Sequence, residues 1–203
     1  MECRDNYRIQ MEQAKRMFLQ YDQEKLIQKL ALSGDNAYLY PVMLGSRYRI
    51  CRKTVDFQRL RGASWVDANT HSEVMTLLDL ICDSREDRFL SNRWKDMVAF
   101  GHMFHSGLQE VDPWALRFQE DPEGLQRACL ALGGKAFPNG DVAYEMELFD
   151  GLSIVLQLWL GEEEFPPRLR LLWDENALMY IKYETMYFAK SLLLARFWEH
   201  MQT

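Results

Sequence analysis

Six basic side chains, Arg47, Arg49, Arg52, Lys53, Arg59 and Arg61, fall within fifteen residues of this 203-residue chain, against Asp56 alone. Guanidinium forks recognise phosphate and carboxylate groups bidentately, so the run is a candidate anion site with Arg47, Arg49 and Arg52 as contacts. On a strand, Arg47 and Arg49 project from one face and Tyr48 and Ile50 from the other, a pattern that also suits a solvated strand face. His102 and His105 form a second candidate. Spaced by three, they share a face of a helix and suit a metal ion; on a strand they point to opposite sides. Third is the run Glu162, Glu163 and Glu164, with Asp174 and Glu175 one strand later. Converging, these carboxylates suit a hard cation or a general acid and base pair; apart, they form a solvated loop. Last, Trp159, Trp173, Tyr180, Tyr183, Tyr187 and Trp198 can wall a planar cofactor or pack a core.

The elements that must position these groups follow from apolar spacing. Tyr7, Met11, Ala14, Met17, Phe18 and Tyr21 mark one helical face, which Leu26, Ile27 and Leu30 continue, so a helical segment is expected from Asp5 to Leu32, closed at Gly34. Tyr38 to Leu44 and Tyr48 to Lys53 flank Gly45-Ser46 and read as a β-hairpin, with Pro41 favouring an outer strand. Thr70 and Glu73 form a capping box ahead of Val74, Leu77, Leu78 and Ile81. The stretch from Ser91 to Leu108 fits strand or loop, with strand expected around Lys95 to Gly101. Asp112-Pro113 and Asp121-Pro122 each start a short helix, the second stopped by Gly133-Gly134. Period-two runs on either side of Asp150-Gly151, then Leu169 to Trp173, give a three-stranded antiparallel meander. The final stretch, Tyr183 to Met201, has an apolar face broad enough to cover that sheet. The expected fold is α+β: N-terminal helices, a hairpin, and a C-terminal meander under the last helix. One domain is expected over 1–203, with a helical segment at 1–34 and the main body at 38–203.

Composition narrows the function classes. With 48% hydrophobic and 27% charged residues the chain is neither disordered nor fibrous. No run approaches the length of a bilayer span, and no apolar stretch follows the first charges, so a cytoplasmic protein without a membrane partner is expected. Cys3, Cys51, Cys82 and Cys129 are too widely spaced for a zinc or iron–sulfur motif and read as reduced thiols. The formal charge of −6 averages +5 over residues 1–61 and −11 over 62–203. An acidic chain with one short basic run argues against nucleic acid as a partner. Glycine-rich phosphate loops, G-x-S-x-G and HExxH are absent.

The strings Gly140 to Glu145, Leu156 to Trp159, Gly161 to Pro167 and Leu172 to Ala177 resemble a prokaryotic family called domain of unknown function 3786. Leu44 to Ile50, Trp94 to Phe104 and Asp121 to Gly134 look like it too. The family has no established activity. The resemblance implies a setting in anaerobic metabolism, in places beside corrinoid or one-carbon genes. Some relatives carry a fused cysteine-rich iron–sulfur module. This chain lacks the clustered cysteines, so no iron–sulfur cluster is expected, and the cofactor is unknown. Together these readings favour a protein that binds a small anionic ligand or a protein partner and catalyses nothing itself. The alternatives are a metal-assisted enzyme using the histidines or carboxylates, and a non-catalytic interaction subunit.

Overall fold

Asp22 divides the N-terminal helical segment in two. Its side chain accepts hydrogen bonds from the backbone N–H groups of Glu24 and Lys25, so it caps a second helix instead of riding inside a first. The computed structural model describes residues 2–101 and 112–202, with side chains from residue 6 onward. It accordingly has α1 (Glu2–Phe18) and α2 (Gln23–Leu30) where apolar spacing alone predicts one segment. Ala31, at φ 48°, makes the left-handed stop assigned to Gly34, which joins a short strand, β1 (Ser33–Gly34).

The predicted hairpin is present but its turn sits one residue earlier. β2 (Tyr38–Tyr40), β3 (Val42–Met43) and β4 (Ser46–Cys51) follow, with Met43 opposite Ser46, so Leu44 and Gly45 are the turn residues. Both have positive φ, 48° and 66°, as a primed turn requires. Leu44 is held in that strained conformation with its side chain only 1% exposed. Pro41 breaks β2 from β3 while its carbonyl accepts from the Tyr48 N–H at 2.8 Å. Because the proline falls in the break, β2 can lie inside the sheet. With β5 (Phe57–Arg61) and β6 (Ser64–Asp67) the order is β1-β2-β4-β5-β6, all antiparallel, and β3 flanks β4.

Thr70 caps α3 (His71–Cys82) as expected, with Glu73 as its partner. Thr70 accepts from the Glu73 N–H, and its hydroxyl donates to Glu73 Oε2 at 2.8 Å. Glu73 is itself buried, taking a hydrogen bond from the Tyr48 hydroxyl at 3.1 Å with Arg59 Nε 4.0 Å away. A helix cap thereby becomes a tie between α3 and the sheet. α1 and α2 both pack on α3, and Val74, Leu77, Leu78 and Ile81 are buried as the sequence predicts. These elements form one compact unit of residues 1–89, which also includes 178–192.

The second compact unit comprises residues 90–177 and 193–203. β7 (Trp94–Asp96) is shorter than the strand expected at Lys95 to Gly101, because Asp96 accepts from the Val98 N–H and caps a 3-10 turn at Met97–Phe100. α4 (Pro113–Phe118) and α5 (Pro122–Ala131) start at the predicted Asp-Pro pairs, each aspartate accepting a backbone N–H. After β8 (Lys135–Ala136) come the three meander strands, β9 (Val142–Phe149), β10 (Leu152–Trp159) and β11 (Arg168–Asp174). Two edges flank them, β7, which overlaps the expected strand, and the unpredicted β8, giving β7-β11-β10-β9-β8. The central β10 is buried at every position from Leu152 to Leu158; its Gln157 amide donates to the carbonyls of Pro138 and Asn139. The last helix, α6 (Tyr183–Met201), contributes residues 193–201 to this unit and 183–192 to the first. The protein is α+β, and no described helix is long and apolar enough to cross a membrane.

Asp150 and Gly151 turn the β9–β10 hairpin at φ 51° and 81°. A Cβ added at Gly151 would meet nothing closer than Leu90 Cδ1 at 3.5 Å, so its cost is conformational and not steric. Gly151→Ala is expected to destabilise the protein by about 1–2 kcal/mol, read as a lowered urea midpoint with an unchanged slope.

Candidate functional site

Asp79 interrupts the apolar run Val74 to Ile81. Along α3 it shares a face with Met75 and Cys82, and with Asp83 at the C-cap, at steps of three and four. That face lines a cleft of about 330 Å³ in the first unit. Gln10, Gln13, Ala14, Met17 and Phe18 of α1 form one wall, with Tyr21 just beyond; Lys182 and the first turns of α6 through Phe188 form the other. Most of the lining is apolar, and its two methionines, Met17 and Met75, can adjust to an irregular guest. His71 supports the walls, its ring 4.4 Å from Tyr7 and 4.6 Å from Phe188, with Nε2 3.0 Å from the Gln10 amide oxygen.

The polar end of the cleft is a network around two carboxyl groups. Asp79 Oδ2 accepts the Lys182 backbone N–H at 2.8 Å, and the Thr185 hydroxyl also hydrogen-bonds to this carboxyl. Asp79 Oδ1 is buried and takes no hydrogen bond of good geometry, although the Lys182 ammonium is 3.2 Å away. The same ammonium donates to Asp83 Oδ2, and the Tyr21 hydroxyl donates to Asp83 Oδ1 at 3.0 Å.

These contacts decide which groups can ionise. Burial raises Asp79 above the usual aspartate range, against the lowering effect of Lys182 and Thr185. Partial burial also pushes Asp83 upward, but hydrogen bonds from Lys182 and Tyr21 outweigh it and leave the group lowered. Lys182 is raised: desolvation opposes its charge, and the two aspartates more than compensate. Burial and then Asp83 push Tyr21 up to about 12, and the same two causes put Cys82 at about 12. At neutral pH the lysine is therefore an ammonium and the cysteine a thiol, and neither is an activated nucleophile.

The residues singled out by spacing lie elsewhere. Arg47 is exposed on β4. Arg49 is stacked between the Tyr38 and Trp65 rings, 4.8 and 4.7 Å from their centroids, and donates to Gln58 at 2.6 Å. Arg52 donates to Glu24, to Gln23 at 2.9 Å and to the Asp35 carbonyl at 3.0 Å. The fold engages the last two with different partners. His102 and His105 lie outside the described residues. Glu162, Glu163 and Glu164 are exposed, in a turn closed by the Glu162 N–H donating to the Phe165 carbonyl at 2.9 Å. They stand at the opposite end of seven-residue β11 from Asp174, roughly 20 Å apart at strand rise. Asp174 is committed to the backbone N–H groups of Ser91, Asn92 and Asn176, and Glu175 to Arg93 and Lys95. Of the aromatics, Tyr180, Tyr183 and Tyr187 belong to the first unit and Trp159, Trp173 and Trp198 to the second. Among the described residues, no cluster of three or more His, Cys, Asp or Glu side chains is placed to hold a metal ion.

The cleft's own polar residues carried one signal in the sequence: an acidic residue, Asp79, in a mostly apolar run, with Cys82 and Asp83 one turn on. Nothing local pairs it with Lys182, about a hundred positions away.

A family model described as domain of unknown function (DUF3786) matches residues 22–196. No curated protein and no solved structure matches the chain.

The opposed shifts give opposed pH dependences. A carboxyl raised in the folded state makes stability fall as pH rises from the unfolded value, about 3.9, to the folded one; a lowered carboxyl makes stability rise over the window just below about 3.9. Relative to wild type, Asp79→Asn should thus gain stability as pH climbs above about 4. Asp83→Asn should lose the increase seen below it. Urea denaturation across a pH series separates the two slopes.

Proposed function

From a chain that belongs to the DUF3786 family, to which no activity attaches, we propose a protein that binds a small, mostly apolar molecule in the cleft between α1, α3 and the start of α6. The observation that carries this reading is the cleft itself: about 330 Å³, with a mostly apolar surface into which Asp79, Asp83 and Lys182 bring charge. That is the usual design of a ligand pocket, at the lower end of the usual size range. The states of Cys82, Tyr21 and Lys182 favour holding a ligand over attacking one. The anionic ligand suggested by Arg47, Arg49 and Arg52 is the less favoured version, since Arg49 and Arg52 are already engaged with other side chains. The physiological setting we infer is the anaerobic metabolism implied by the sequence resemblance.

A thermal-shift screen of small apolar and amphipathic compounds tests the reading. A ligand at a hundred times its Kd stabilises the native state by about 2.7 kcal/mol, roughly 5–10 °C for a chain of this length. Ala14→Trp fills the cleft and should remove the shift while leaving the circular dichroism spectrum unchanged. A shift that survives Ala14→Trp, or a library without a single stabilising compound, overturns the assignment.

A further inference from the structure

The polar end of the cleft carries more information than its volume. Asp79 lines the cleft with a side chain only 5% exposed, and its Oδ1, 3.2 Å from the Lys182 ammonium, is buried without a hydrogen bond of good geometry. Burying a carboxylate oxygen in that condition is costly unless a donor reaches it. The donor nearest to it, the Lys182 ammonium, is divided between Asp79 and Asp83 and comes from a side chain that is 58% exposed. Lys182 thus lies across two carboxyl groups with its side chain more than half exposed, while its backbone N–H donates separately to Asp79. The backbone bond to Asp79 does not depend on where the ammonium lies.

Resting on the ligand-binding reading above, we infer that the cleft takes an amphipathic amine: a primary ammonium or comparable cationic head on an apolar body. The head displaces Lys182 and pairs with Asp79 and Asp83, and the body lies along Ala14, Met17, Phe18, Met75 and Phe188. Lys182 acts as an internal stand-in for the ligand's charge, keeping the acidic pair neutralised when the cleft is empty. The Tyr21 hydroxyl, already on Asp83, orients that carboxylate toward the incoming head.

The exchange makes a prediction that a simple apolar cleft does not. Removing the stand-in should strengthen amine binding, since the ligand no longer competes for the carboxylates. Phenethylamine and its neutral isostere phenethyl alcohol, titrated calorimetrically into the full-length protein, separate head from body. Lys182→Met should bind phenethylamine about tenfold more tightly than wild type, and Asp83→Asn about tenfold more weakly, each factor being about 1.4 kcal/mol; phenethyl alcohol should be unaffected by either change. Lys182→Gln gives the same direction if the methionine variant is poorly folded. Equal affinities for amine and alcohol in wild type and variants overturn the amine assignment and leave the cleft reading standing. Tighter binding of phenylpropionate than of the amine also overturns it, in favour of an anion. Binding of none of the three overturns the cleft reading and this inference with it.

Discussion

The Asp79 carboxyl group is buried on α3 and holds the start of the last helix by three contacts at once: the Lys182 backbone N–H, the Thr185 hydroxyl and the Lys182 ammonium. Chain segments about a hundred residues apart are joined at this one side chain. The last helix has donors to satisfy at its N-terminus, and a buried carboxylate has charge to satisfy. Each meets the other's need. Through this exchange the residues from 178 to 192 are tied to α3, and together they line the cleft.

Around that anchor the other polar residues fall into a consistent pattern. Glu73 ties α3 to the sheet through Tyr48 and Arg59, and Lys29 on α2 donates to the carbonyls of Cys82 and Ser84 at the end of α3. Burial lowers Lys29 below the usual lysine range, which is the cost of taking an ammonium to a helix terminus inside the structure. α3 is thus held at its start, at its end and at the one acidic position between. What distinguishes Asp79 and Asp83 from these structural ties is their place on a cleft, with a shared cation that is largely solvent-exposed.

Much of the fold was legible because the signals were local. Thr70 with Glu73, Asp112 and Asp121 before their prolines, and Asp150-Gly151 between alternating runs each specify an element through contacts no more than a few residues apart. The misreadings were also local, and each had a competitor in the same stretch. Asp22 capped a new helix inside an apolar repeat, Leu44 took a left-handed conformation one position before the expected glycine, and Asp96 ended a strand by capping a 3-10 turn. The edge strand β8 was not legible, because a strand of two residues shows no period and pairing with β9 defines it; β7 was expected as a strand, and its shorter bounds and its pairing with β11 came from the tertiary structure.

The candidate site divides along the same line. By itself the sequence determined the α+β class, the helix caps, the meander and the charge of its basic run. Charge density does not say who the partner is, and Arg49 and Arg52 turn out to stack on aromatics and to meet Gln23 and Glu24. Tertiary structure alone decided that Asp79 and Asp83 face Lys182 across a cleft, because that contact spans about a hundred residues. Helical and strand periods record which side of an element is buried; they hold no record of which distant segment covers it.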